Sequence, residues 1–509
     1  MSDENAILRF DRGPIENPSF ARIAESYLRD EAEVVADLIR IADTDADTRA
    51  RVHALASDLV KRVRARAPEQ SAVESFMREY DLSSEEGVLL MCVAEALLRI
   101  PDAETADELI RDKLADANWQ AHSGKSASTF VNAGTWGLML TGRLVSLADD
   151  TKRNFGGALK RMIARSGEPV IRMAVRQAMR IMGHQFVMGR SIAEALDRAR
   201  SKDHRRYRHS FDMLGEAALT AADAERYYAA YLNAIKQIGA SGPHPDIHAA
   251  PSISVKLSAL HPRYEKAKRS RVLEELVPRV LALAEAAKAQ GIPMTIDAEE
   301  ADRLELSLEV IAAVIRAPSL AGWNGFGLAV QAYQKRTLSV IDWLAELARE
   351  VGQLLNVRLV KGAYWDTEIK RAQVEGLSGY PVFTRKHNTD LSYLACARRL
   401  LAHGDAFYPQ FATHNAHTIA AIATHAQALG APFEFQRLHG MGTDLYAEVI
   451  PVERLSVPCR VYAPVGTHED LLPYLVRRLL ENGANTSFVN RIVDEALPID
   501  DLIADPVEQ

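Results

Sequence analysis

Apolar positions recur with helical spacing through roughly the first 190 residues of the chain. In ARIAESYLRDEAEVVADLIR, Ile23, Tyr27, Val34, Leu38 and Ile39 fall on one stripe. In TRARVHALASDLVKRVRARAPEQ, Val52, Leu55, Leu59 and Val63 stand at i, i+3, i+7 and i+11, with the arginines on the other side. Gly13-Pro14, Pro68, Pro101 and Gly167-Glu168-Pro169 punctuate the pattern. The spacing predicts a helical arm over 1–70 and a helical domain over 71–190, suited to packing or dimerisation. Neither presents catalytic chemistry.

Beyond about residue 200 the period changes. Short apolar or β-branched runs alternate with longer amphipathic stretches. The runs are HSFDML (209–214), SISVKL (252–257), MTIDA (294–298), FGLAVQ (326–331), NVRLVKGA (356–363), YPQFAT (408–413), FEFQRL (433–438) and CRVYA (459–463). Strands that alternate with helices predict parallel βαβ units. Eight such units over 191–495 predict an α/β fold, a (βα)8 barrel of the TIM type, with 496–509 as a C-terminal tail.

A barrel of this kind carries its chemistry where the strands end. Those ends carry Glu216, Lys256, Asp297, Gln331, Arg358 with Lys361 and Tyr364, His414, Gln436 and Tyr462. Any one of them alone reads as a buried ion pair or a cap; eight at corresponding positions describe a polar mouth. Arg358 is the sharpest, because it interrupts an apolar strand where a charge must be paired. After the eighth strand, YLVRRLLENGANTSFV predicts a helix capped by Asp470, with Pro473 in its first turn and Gly483 at its stop. Leu472, Leu475, Val476 and Leu479 form its apolar stripe. Glu481 lies within a turn of Arg477 and Arg478 and can orient either. Two adjacent guanidinium groups suit a small carboxylate.

Composition narrows the classes. The 509 residues are 48% hydrophobic and 25% charged, with a net charge of −7. That balance gives no general attraction to nucleic acid or anionic lipid. No apolar run is long enough to span a bilayer, and MSDENAILRFDRG has no signal-peptide core. Cys92, Cys396 and Cys459 stand far apart, so a disulfide framework is not expected and a reducing cytoplasm is. No phosphate-loop motif occurs, and GFGLAV and GMGTDL lack the third glycine of a dinucleotide site. His414, His417 and His425 have no carboxylate between them, so no metal is expected.

Ten segments together resemble a known family: SFDMLGEAALT, SVKLSALHPRY, TIDAEEADRLELSLEV, GLAVQAYQKR, VRLVKGAYWDTEIKRAQ, PVFTRKHNTDLSYL, FATHN, FEFQRLHGMG, RVYAPVG and YLVRRLLENGANTSFV. They are similar, in order, to the proline dehydrogenase domain of the bifunctional proline utilization A flavoenzymes. GTWGLMLTGR and GEPVIRMAVRQAMRIMGHQFVMG resemble the region before that family's barrel. The resemblance implies FAD-dependent oxidation of L-proline to Δ1-pyrroline-5-carboxylate, with electrons passed to a membrane quinone. It implies that Arg477, Arg478 and Lys256 bind the substrate carboxylate, that Tyr462 and Leu438 pack on the ring, and that Glu216 gates the pocket. Asp297 and Glu481 complete that network and also adjoin the cofactor, as does Arg478. Gln331, Arg358, Lys361, Gly362, Tyr364, Trp365, Thr384, Lys386, His387, His414 and Gln436 would contact FAD, with Arg358 near flavin N5.

Long members begin with a ribbon-helix-helix module and continue into an aldehyde dehydrogenase. Neither is legible here, so no DNA contact is expected, and the chain reads as a truncated piece of a bifunctional protein. Peripheral contact with the inner membrane, through the quinone, and homo-oligomerisation complete the expectations. The competing enzymatic reading is a Schiff-base lyase of the aldolase type with Lys256 as nucleophile.

Overall fold

Eight short strands, each buried along nearly its whole length, close on themselves in the computed structural model, which describes residues 17–66, 187–466, 491–492 and 496–509. They are β1 (Arg208–Met213), β2 (Ser252–Val255), β3 (Met294–Ile296), β4 (Phe326–Gln331), β5 (Leu355–Val360), β6 (Phe407–Ala412), β7 (Glu434–Leu438) and β8 (Cys459–Val465). All neighbours pair in parallel, and β1 closes the ring on β8 with Ser210 opposite Tyr462. The expected barrel is therefore the observed fold, with each predicted run on its strand.

The crossovers are amphipathic helices whose apolar faces cover the barrel wall. Ala221–Gly239 follows β1 and opens with a capping box between Thr220 and Asp223. Arg269–Ala289 follows β2, Leu304–Ile315 follows β3, and Thr337–Val351 follows β4. Two helices, Trp365–Val374 and Lys386–Ala402, separate β5 from β6, and Ala416–Leu429 follows β6. Val357 and Leu359 of β5 and Phe435 of β7 are fully buried under these helices. The alternate positions of the same strands face the barrel interior, and they are polar: Ser210, Asp212, Ser254, Asn356, Arg358, Gln410, Glu434, Gln436, Arg460 and Tyr462.

The chain divides into two compact units, one of 1–62, 191–465 and 498–509, the other of 63–190 and 466–497. The first holds the barrel and the N-terminal helices α1 (Pro18–Glu25) and α2 (Glu31–Ala42); α3 (Ala46–Arg66) begins within it. In the second, residues 63–66, 187–190, 466, 491–492 and 496–497 are described. The single stripe expected from Ile23 to Ile39 is broken into two helices. Asp30 accepts from Ala32 N at 2.9 Å and Glu33 N at 3.1 Å, which starts a new helix there. The restart turns the apolar face onto Val34, Leu38 and Ala42, and leaves Ile39 at the surface. That face packs on Phe383, Leu391, Leu394 and Ala395 at the start of the Lys386–Ala402 helix. The breaks expected at Gly13-Pro14, Pro68, Pro101 and 167–169 lie outside the described residues, as does Cys92.

Candidate active site

The C-terminal ends of the strands hold a connected cluster of buried charges. Lys256 follows β2 directly, and its Nζ donates to both Asp212 oxygens at 2.9 Å. It lies 3.3 Å from Asp297 Oδ2 and 3.3 Å from the Tyr462 hydroxyl. Tyr462 donates to Asp297 Oδ2 at 2.6 Å. Arg358 reaches across from β5. Its Nε donates to Gln436 Oε1 at 2.7 Å, one terminal nitrogen to Asp297 Oδ1 at 2.7 Å and Ser254 Oγ at 3.1 Å, and the other to Ser210 Oγ at 3.0 Å. A guanidinium has five N–H groups, so one remains without a partner among the described residues.

The electrostatics follow from the burial. Burial by itself lowers the Lys256 pKa, but Asp212, Tyr462 and Asp297 outweigh it and hold the ammonium well above the usual lysine range. Burial pushes the Asp212 carboxyl up, and Lys256 pulls it back. Burial and the two carboxylates raise the Tyr462 phenol well above its ordinary value, so it stays a donor. Lys256 is therefore a fixed cation. A Schiff-base nucleophile needs a neutral amine, so this geometry works against the lyase reading.

Sequence reasoning brought Lys256, Asp297, Arg358, Gln436 and Tyr462 together, and the structure places all five in this cluster. It missed Asp212, Ser210 and Ser254. The signal was present: these are the polar positions at i and i+2 in HSFDML and SISVKL.

The other expected residues form a looser group around the β5 end. Lys361 is ion-paired with Asp390. Gly362 has φ +141°, and a Cβ there would meet the Tyr333 ring at 2.4 Å, so only glycine fits. Tyr364 precedes the Trp365–Val374 helix, and the Trp365 indole, 42% exposed, donates to Phe383 O at 2.9 Å. Thr384 gives its N–H at 3.0 Å and its hydroxyl at 3.0 Å to Glu31 of α2. Lys386 and His387 open the next helix. The His414 Nε2 accepts the Leu438 N–H at 3.2 Å, which ties the β6 end to the β7 end. Gln331, last in β4, accepts from Gln334 Nε2 at 2.7 Å. Glu216 is half-buried in the loop after β1, where Ala217 has φ +51°. Arg477, Arg478 and Glu481 lie outside the described residues, together with the helix expected there and its Asp470 cap.

Three family profiles match successive parts of the chain. The family profile described as proline dehydrogenase matches residues 195–491. Residues 18–64 match the proline utilization A proline dehydrogenase N-terminal domain, and 72–186 the DNA-binding domain of proline dehydrogenase. The last description runs against the expectation of no DNA contact. The bifunctional PutA proteins of Salmonella typhimurium and Escherichia coli are each 54% identical, over 498 and 497 residues. Each alignment covers 96% of this chain and 38% of the relative, so the chain spans about two fifths of their length. A human hydroxyproline dehydrogenase is 30% identical over 232 residues, 42% of this chain and 48% of its own. A crystal structure of proline utilization A from Bradyrhizobium japonicum superimposes with a TM-score of 0.73 at 51% identity, covering 95% of this chain and 48% of that one.

Proposed function

The chain belongs to the proline dehydrogenase family, and from that premise we propose that it oxidises L-proline to Δ1-pyrroline-5-carboxylate with FAD as cofactor. The observation that carries the reading is the cluster of Lys256, Asp212, Asp297, Arg358 and Tyr462. It is a rigid, water-poor set of charges at the strand ends, where a barrel does its chemistry. In the reaction, C5–H leaves with its electron pair, the nitrogen lone pair forms the C=N bond, and the nitrogen gives up its proton. FAD, when bound, supplies the hydride acceptor at N5, and a quinone takes the electrons afterwards.

The protein's part is binding and electrostatics. Arg477 and Arg478 clamp the substrate carboxylate, with Lys256 adding positive charge from a position that Asp212 and Asp297 hold. Cations near the amine favour its neutral form, which the departing hydride requires. Tyr462 and Leu438 flank the ring, Glu216 and Glu481 border the pocket, and the Tyr462 phenol is held by Asp297. Arg358 keeps one N–H for the cofactor and stabilises charge that develops on it. Gln331, Lys361, Gly362, Tyr364, Trp365, Lys386, His387, His414 and Gln436 hold the rest. The exposed indole of Trp365 fits a flat, extended cofactor. Thr384 fits less well, because Glu31 already takes its N–H and hydroxyl.

The purified chain is expected to show flavin absorbance and to turn over L-proline with an artificial electron acceptor. Arg477→Met is expected to cost roughly 2–5 kcal/mol in kcat/KM with flavin retained, the scale for removing one partner of a buried charge pair. A colourless protein would sink the cofactor assignment. Unchanged proline kinetics in Arg477→Met would sink the clamp.

A further inference from the structure

Beneath the mouth lies a second buried carboxylate with no role in the reading above. Glu434, at the start of β7, is fully buried. Its Oε1 accepts from Arg460 Nε at 2.6 Å, Gln410 Nε2 at 3.0 Å and Gln436 Nε2 at 3.0 Å. Its Oε2 accepts from Arg208 at 3.0 Å and from Arg460 at 3.2 Å. Gln436 stands two residues along the same strand, so both side chains enter the barrel interior. The Gln436 Oε1 in turn accepts from Arg358 Nε at 2.7 Å.

The chemistry of these groups fixes a direction. An ionised carboxylate only accepts, so Gln436 must turn its NH2 towards Glu434. Arg460 and Arg208 keep Glu434 ionised: burial raises its pKa, the two guanidinium groups lower it, and the balance is a carboxyl below the usual range. The amide carbonyl then faces Arg358, which can only donate. With Gln436 set, Ser254, Ser210 and Asp297 take the other committed N–H groups, and the guanidinium has one orientation.

We propose that Glu434 is a positioning residue for the redox site: acting through the Gln436 amide, it sets the orientation of Arg358 at the mouth. The inference rests on the proposed function for its consequence, namely that Arg358 faces the flavin. The relay itself belongs to the protein alone. Glu434→Gln removes the preference. The 434 amide can then offer either an oxygen or an N–H, the Gln436 amide is free to invert, and an inverted amide sets N–H against N–H at Arg358.

The test compares wild type, Glu434→Gln and the control Arg208→Met, which takes a cation from Glu434 but leaves Glu434 facing Gln436. Glu434→Gln is expected to lower kcat/KM for L-proline about tenfold, the scale of one hydrogen bond to a charged group. It is also expected to move the midpoint potential of the bound flavin to a more negative value. Arg208→Met is expected to lower Tm while leaving both at their wild-type values. The contrast separates positioning from scaffolding, since both variants weaken the cluster and only Glu434→Gln releases the Gln436 amide. A Glu434→Gln protein with lowered Tm but wild-type potential and kinetics would overturn the proposal, as would an Arg208→Met protein that loses as much in potential and kinetics as Glu434→Gln. Should Glu434→Gln not fold, Glu434→Asp keeps the charge but withdraws it from Gln436, and the same loss is expected. Crystal structures of unloaded wild type and Glu434→Gln read the relay directly: Arg358 Nε is expected to leave Gln436 in the variant. If wild type binds no flavin, the proposed function fails, and these two structures still decide the relay by that distance.

Discussion

Two clusters of buried charge occupy the two ends of one barrel, and they are built differently. At the N-terminal ends of the strands, Arg460 spends every N–H. It bonds Glu434 through two nitrogens, the carbonyls of His209, Ala250 and His248, and Ser252. Glu434 accepts from five donors. At the C-terminal ends, Arg358 keeps one N–H unspent among the described residues, and Lys256 is shared by Asp212 and Asp297. Burying a charge is costly in either place, and hydrogen bonds offset that cost. A saturated cluster holds the barrel together. A cluster short of one partner is prepared to take one from a ligand.

The contrast predicts that damage at the two ends is read by different instruments. The largest effect is expected from Arg460→Met, which leaves Glu434 buried with only Arg208 as its cation. Stability should fall by roughly 3–5 kcal/mol, measured by denaturant midpoint. Tyr462→Phe, at the mouth, removes the hydroxyl from Asp297, which retains Arg358 and Lys256. Here kcat/KM for proline should fall by about 1.5–3 kcal/mol, with Tm changed by a few degrees at most. Equal losses of stability from the two variants would erase the distinction.

A third cluster sharpens the comparison because it is buried and neutral. His204, His209 and His439 adjoin one another behind β1, and burial, with help from Arg437, lowers each pKa: His204 to about 4, His209 to about 3, His439 well below normal. The unfolded histidines bind protons below about pH 6.5, whereas the folded ones do not, so acid favours the unfolded chain. Each should therefore remove stability as the pH falls below about 6.5. Burial raises Glu299 to about 7, and it acts oppositely: folded protein keeps that proton between about 4.5 and 7, so its contribution shrinks as pH rises. Three histidines outweigh one glutamate, and the expected net is acid lability. His209→Phe should flatten the acid limb of Tm against pH; an unchanged slope would show that the buried rings do not control it. The smallest effect belongs to an exposed pair. Arg316 bonds Glu350 at 2.7 Å and 2.8 Å, yet Arg316→Ala should cost under about 1 kcal/mol, because water already solvates both partners.

Much of the fold was legible because it depends on local periodicity. The eight runs, the helices between them and the polar strand ends all follow from apolar spacing, and each run became a strand. Arg358 announced itself as a charge within an apolar run. Asp212 and Glu434 did not, although HSFDML and FEFQRL place polar residues two apart. Read simply as short apolar or β-branched runs, those segments hide a polar interior. The restart of helix at Asp30 was hidden too, since Ile39 continues the apolar spacing while the cap redirects it.

By itself, the sequence determined which strand positions are polar, because alternation along an extended chain is a property of neighbours. It also placed two adjacent arginines, Arg477 and Arg478, four and three residues before Glu481. Tertiary structure alone decided who meets whom. Lys256 and Asp212 come together across 44 positions, Arg358 and Gln436 across 78, and Tyr462 and Asp297 across 165. Those meetings follow from the closure of β1 on β8 and the stagger between strands. That stagger is a property of the closed ring, set by eight strands at once, and no single segment carries it.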